Sequence, residues 1–128
     1  MASIGIIANP QSGKDIRRLV SYATTIDNNE KVNICKRITL AAYGLGIEKA
    51  VYMPDTFTMG YSVQYQLEDD KMPCCDIEVL DFDFEASMAD TVQAAAMMEE
   101  MSLGCVVVLG GDGTSRAAAK SLKKTPML

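Results

Sequence analysis

The stretch Cys105-Val106-Val107-Val108-Leu109, followed at once by Gly110-Gly111-Asp112-Gly113-Thr114, decides the fold. Five consecutive apolar residues rich in β-branched side chains read as a strand, and a strand with no polar face has to be covered on both sides. In soluble domains that happens in the middle of a parallel sheet with helices on each side. The glycines after it cannot continue the strand and mark a turn, and Ser115 to Leu122 resumes helical character. Strand, glycine-rich turn and helix therefore follow one another here.

The same order recurs upstream. Ser3 to Ala8 reads as a strand, Asn9-Pro10-Gln11-Ser12-Gly13-Lys14 as a loop, and Ile16, Leu19, Val20 and Ala23 as one apolar helical face, opposite Arg17, Arg18 and Ser21. After Asp27-Asn28-Asn29 a separate helix is predicted, carrying Cys35, Ile38, Ala42 and Leu45 and stopped by Gly44 or Gly46. Ala50 to Met53 is the next predicted strand. Thr56 to Leu67 is only moderately helical, with Gly60 against it, and Ile77 to Leu80 is a third strand. Ala86 to Ser102 is the clearest helix, with Met88, Val92, Ala95 and Met98 on one face, Asp90, Gln93 and Glu100 on another, and Gly104 as its stop. Alternating strands and helices predict an α/β fold: a three-layer, open, mainly parallel sheet with helices on both faces. The 128 residues suffice for one domain, and Lys123 to Leu128 reads as the approach to a fifth strand, so the chain is expected to be a fragment of something longer.

Composition removes several chemistries. There is no histidine, which excludes Ser–His and Cys–His catalysis and any histidine-containing zinc site. The four cysteines, Cys35, Cys74, Cys75 and Cys105, never adopt the C-x-x-C spacing and read as reduced thiols. The N-terminus has no basic region or cleavage signature, and no apolar run approaches the ~20 residues of a membrane span. A cytoplasmic protein is expected, with no membrane partner. A net charge of −5 argues against general nucleic-acid binding. Between Asp55 and Glu100 stand twelve acids against the single base Lys71, while the rest of the chain holds five acids against eleven bases. Both glycine-bearing loops lie in the basic ends. The asymmetry fits either solvated helix faces or a site for an anion.

In open α/β sheets ligands sit beyond the C-terminal strand ends, where glycine-rich turns let backbone N–H groups approach phosphate. Two common phosphate motifs fail here. Walker A would need glycine at Ala8 and a hydroxyl residue at Asp15, and the dinucleotide fingerprint would need glycine at Arg116. An acid between glycines would repel phosphate unless a metal or a hydroxyl awaiting activation lay between them. Asp112 therefore reads either as a group that orients and deprotonates a substrate hydroxyl or holds a nucleotide-bound metal, or as the N-cap of the following helix.

Asn9-Pro10-Gln11-Ser12-Gly13-Lys14 after the first strand, with Gly110-Gly111-Asp112-Gly113-Thr114 after a buried one, resembles the superfamily of NAD kinase and the diacylglycerol and sphingosine kinases. The run from Ile4 through Val20, with Asp27-Asn28 and Glu30-Lys31, is most similar to the bacterial ATP-NAD-kinase-like branch that includes acetoin-catabolism proteins. The resemblance implies a nucleotide kinase that transfers phosphate from ATP, or polyphosphate, to a hydroxyl of NAD or a related acceptor, with Mg2+ as cofactor. A lipid kinase and a non-catalytic nucleotide-binding regulator are the alternatives. By the same resemblance Asp112 is the proton acceptor, Gly110, Gly111, Gly113 and Thr114 shape the phosphate loop, and Asn9, Ser12, Gly13 and Lys14 hold the triphosphate. Arg116 joins the anion site, although the usual NAD kinase arginine comes further along the helix. A β-rich second domain is expected to follow and to close the cleft. Without it, residues 1–128 are expected to be inactive and to self-associate through the uncovered face.

Overall fold

Glycine, burial and hydrogen-bond geometry together explain how the strands are held in order. The structure, a computed structural model, describes residues 2–8, 21–54, 59–83, 88–110 and 112–128, with side chains left out at 21–29, 59 and 112. Within them run β1 (Ser3–Ala8), α1 (Ser21–Gly44), β2 (Lys49–Tyr52), α2 (Met59–Asp69), β3 (Asp76–Val79), α3 (Met88–Glu100), β4 (Cys105–Leu109) and α4 (Asp112–Ala119). The strands form one parallel sheet in the order β3-β2-β1-β4.

Alternate residues of each strand feed two apolar layers, as the two-residue period of a strand requires. Ile4, Ile6, Ala50 and Tyr52 pack with Cys35, Ala42, Val63 and Leu67 from α1 and α2. On the other face Ile7, Val51 and Val106 pack with Ala94, Ala95, Met98 and Ala118 from α3 and α4. This is the expected three-layer α/β sheet. β4 contributes to both layers, through Cys105 and Leu109 to one and Val106 and Val108 to the other. All four cysteines are free thiols. Burial pushes the Cys75 thiol up to about 12. The buried phenol of Tyr52 lies 2.7 Å from Thr39 Oγ1, and Thr39 donates to the carbonyl of Cys35 at 2.8 Å.

Several local expectations are corrected. The predicted break at Asp27-Asn28-Asn29 is absent, because α1 runs unbroken through it. Asp and Asn each lower helix propensity by only a fraction of a kcal/mol, roughly 0.7 at most, which does not by itself end a helix. Leu45 is 86% exposed rather than part of the apolar face. It follows the last helical residue, in a Schellman end where the N–H of Gly46 bonds Tyr43 O at 3.1 Å and the N–H of Ile47 bonds Ala42 O at 2.9 Å. Gly46 carries the positive φ of 92° that this end needs.

α2 is a regular helix despite Gly60, which is there for packing: a Cβ on it would lie 2.9 Å from Tyr52 Cβ and 2.8 Å from Val79 Cγ2. α3 stops at Glu100, with Ser102 at φ 58°, ahead of Gly104. The helix expected over Ile16 to Val20 lies outside the described residues.

Beyond α4 the chain returns to the sheet. The N–H groups of Lys123, Lys124 and Thr125 donate to the Glu99 carboxylate at 3.1, 2.9 and 3.2 Å. Those three bonds hold its carboxyl down at about 2. Residues 126–128 then lie parallel to β4, bridging at Val106 and Met127, with the N–H of Leu128 bonded to Val106 O at 2.8 Å. The stretch read as the approach to a fifth strand thus pairs with β4 through residues 126–128.

Candidate functional site

Strand order locates the site before any side chain is considered. From β1 the chain winds outward through β2 to β3, then crosses back to place β4 on the other side of β1. Crossovers on the two sides of such a switch point leave in opposite directions, opening a crevice at the C-terminal strand edge. Register sharpens this. Ala8 pairs with Leu109, so β1 and β4 end at the same level, and Gly110 leaves the sheet beside the end of β1.

On the β4 side, Gly110 is exposed and turns the chain with φ 156°, a region open in practice only to glycine. α4 begins at Asp112, so Asp112 stands in the first turn, where backbone N–H groups lack helical partners and the dipole favours negative charge. Gly113 is exposed, and among the described residues a Cβ there would meet only the Met88 methyl, at 4.0 Å. Thr114 is 1% exposed and anchors the turn to the core, whereas Arg116 is exposed one turn along. The structure therefore brings Gly110, Asp112, Gly113, Thr114 and Arg116 together around one helix start. Asn9, Ser12, Gly13, Lys14 and Gly111 lie outside the described residues, as does the Asp112 side chain.

One polar residue at this edge lies on the face opposite to the one its periodicity predicts. Asp90, expected on the outward face of α3, is 4% exposed, and its neighbour Thr91 is fully buried, its hydroxyl 4.0 Å from Met53 Sδ. The buried stripe runs through Asp90, Thr91, Ala94, Ala95 and Met98, while Met88, expected inside, is 37% exposed. The i, i+4, i+8 spacing of Asp90 with Ala94 and Met98 was the available signal.

A formed cavity of about 210 Å3, lined by Gln64, Glu68, Met72, Cys74, Cys75 and Asp76, lies at the start of β3, on the opposite sheet edge. No helix begins among its lining residues. No group of three or more His, Cys, Asp or Glu side chains is placed to hold a metal among the described residues. None of the described helices is long and apolar enough to cross a membrane.

Comparison with known proteins agrees with this fold. Acetoin catabolism protein X of Cupriavidus necator is 34% identical over 129 residues, which cover 97% of this chain and 35% of that protein. The chain thus spans about a third of the length of that curated relative. No solved structure matches it. Residues 4–128 match the family described as ATP-NAD kinase N-terminal domain, and with its parallel sheet and its glycine loop at the switch point the chain belongs to that family.

Proposed function

We propose that this chain is the N-terminal domain of a nucleotide kinase that moves the terminal phosphoryl group of ATP, or of polyphosphate, onto a hydroxyl of NAD or a closely related acceptor. The observation that carries the reading is the Gly110–Thr114 turn, which leaves β4 beside the end of β1 and opens α4. Backbone N–H groups of that turn bind phosphate oxygens, and Lys14 and Arg116 supply positive charge from the basic ends of the chain. Asn9, Ser12 and Gly13, from the strand that ends at the same level, hold the rest of the triphosphate.

In this reading Asp112 orients the attacking hydroxyl and takes its proton as the new phosphorus–oxygen bond forms and the bond to the leaving ADP breaks. Magnesium, carried on the phosphates of the donor, would neutralise part of their charge while Asp112 handles the proton. A second domain, following this one in the full-length protein, closes the cleft and excludes water. The reading is tested with full-length protein, labelled ATP or polyphosphate, and NAD, diacylglycerol and sphingoid acceptors. Label in phosphorylated NAD is expected. Label in a lipid, or in no acceptor, contradicts it.

A further inference from the structure

Asp90 is the one carboxylate among the described residues that is buried, and its place in the sheet can be worked out from α3. A Cβ on Gly5 would lie 2.6 Å from Met98 Sδ, so Met98 sits directly on β1 at Gly5. Asp90, Ala94 and Met98 form one stripe, all buried, and α3 runs antiparallel to the strands as it crosses from the end of β3 to the start of β4. Eight residues of helix separate Met98 from Asp90, about 12 Å at ~1.5 Å per residue. The same distance along β1 is between three and four residues at ~3.3 Å each, which reaches from Gly5 to Ala8 and just beyond. Asp90 is therefore level with the ends of β1 and β4, beneath the point where Gly110 leaves the sheet. In the same turn, the Met88 methyl would lie 4.0 Å from a Cβ on Gly113.

We infer that Asp90 is a positioning residue for the Gly110–Thr114 turn. A buried carboxylate is tolerated only when hydrogen bonds satisfy it, and the N–H groups of Gly113 and Thr114, in the first turn of α4 beside Met88, are donors at this level of the fold. Its negative charge would repel a phosphate it faced, so its part is to hold the loop and not the ligand. Loop ordering stands on geometry alone; only its consequence for phosphoryl transfer rests on the function proposed above.

The rival role is local. Asp90 is the third residue of α3, preceded by Ser87 in an S-x-x-D pattern, and an acid there can cap its own helix. The two roles separate in amide exchange on the full-length protein, comparing Gly110, Gly113 and Thr114 with Ala50 and Val51 of β2. In D90N, isosteric but a poorer acceptor, the three turn amides should exchange faster by about tenfold or more, the factor that one lost charge-assisted bond implies, with the β2 amides unchanged. D90E keeps an acid favourable for capping but displaces the carboxylate, and should also loosen the turn. Unchanged turn amides in D90N, equal acceleration of turn and β2 amides, or wild-type rates in D90E would each overturn the inference. If D90N does not fold, D90E decides, and failure of both to fold marks Asp90 as a core determinant and overturns it too. ATP added to the wild type tests the proposed function separately: absence of protection at the turn counts against that function and leaves the D90N comparison intact.

Discussion

Replacing Gly60 with alanine tests the packing of α2 on the sheet, because the geometry assigns the change an unusual sign. In an ordinary helical position the substitution stabilises by up to ~1 kcal/mol. Gly60, however, is buried against β2 and β3, and its new Cβ would lie 2.9 Å from Tyr52 Cβ, 3.0 Å from Tyr52 Cγ and 2.8 Å from Val79 Cγ2. Tyr52 cannot retreat, since its ring is 1% exposed and its hydroxyl is held 2.7 Å from Thr39 Oγ1. The contact is with the root of the side chain, so relief requires α2 or β2 to move. Overpacking of this kind costs about 3 kcal/mol, leaving a net loss of about 2 kcal/mol after the helix gain. For a chain of this length that is a fall in Tm of roughly 8 °C. Thermal unfolding followed by circular dichroism measures it. Gly44 is the internal control: it ends α1 with nothing within 4 Å of a Cβ, so G44A should raise Tm by a few degrees. An unchanged or raised Tm in G60A would mean that α2 does not sit on β2 and β3 as described.

Two further expectations concern pH. The Glu99 carboxyl lies at about 2 against an ordinary 4.5, so its support for the 123–125 turn is complete above about pH 4.5 and is lost as pH falls toward 2. E99Q should abolish that acid-dependent step in amide exchange at Lys124, and an acid transition identical to wild type would refute the assignment. Cys75 has the opposite sign: raised to about 12 from 9 by burial, it favours the fold below pH 9, and that contribution is lost as pH climbs toward 12. Alkaline unfolding should accordingly begin at higher pH in C75A than in wild type, and coincident curves would contradict this.

How much of this was legible in advance depends on the range of the forces involved. β1 and β4 are readable because their apolar runs need no partner to be recognised, and Gly110 to Thr114 because glycine after such a strand has a local conformational cause. Gly60 misled, since the same residue that weakens a helix locally permits a close approach to Tyr52, 8 residues back in sequence but in another layer. Asp90 misled for a related reason. A carboxylate on an amphipathic helix is ordinarily solvated, and the i, i+4, i+8 spacing of Asp90 with Ala94 and Met98 gains its weight only from the path of α3 over β1, fixed by Met98 on Gly5. Likewise the adjacency of β1 and β4, which makes the site, is a pairing between residues about a hundred positions apart that no local pattern encodes.

The central claim is that Asp112, at the start of α4, takes the proton from an acceptor hydroxyl. Asn at this position preserves size and caps a helix about as well as Asp, so D112N separates chemistry from stability. In the full-length protein, with ATP and NAD, kcat should fall by about 10²–10⁴-fold in D112N, the usual contribution of a general base, while Tm stays within about a degree of wild type. Near-normal kcat in D112N at unchanged Tm would reduce Asp112 to a turn residue and contradict the account.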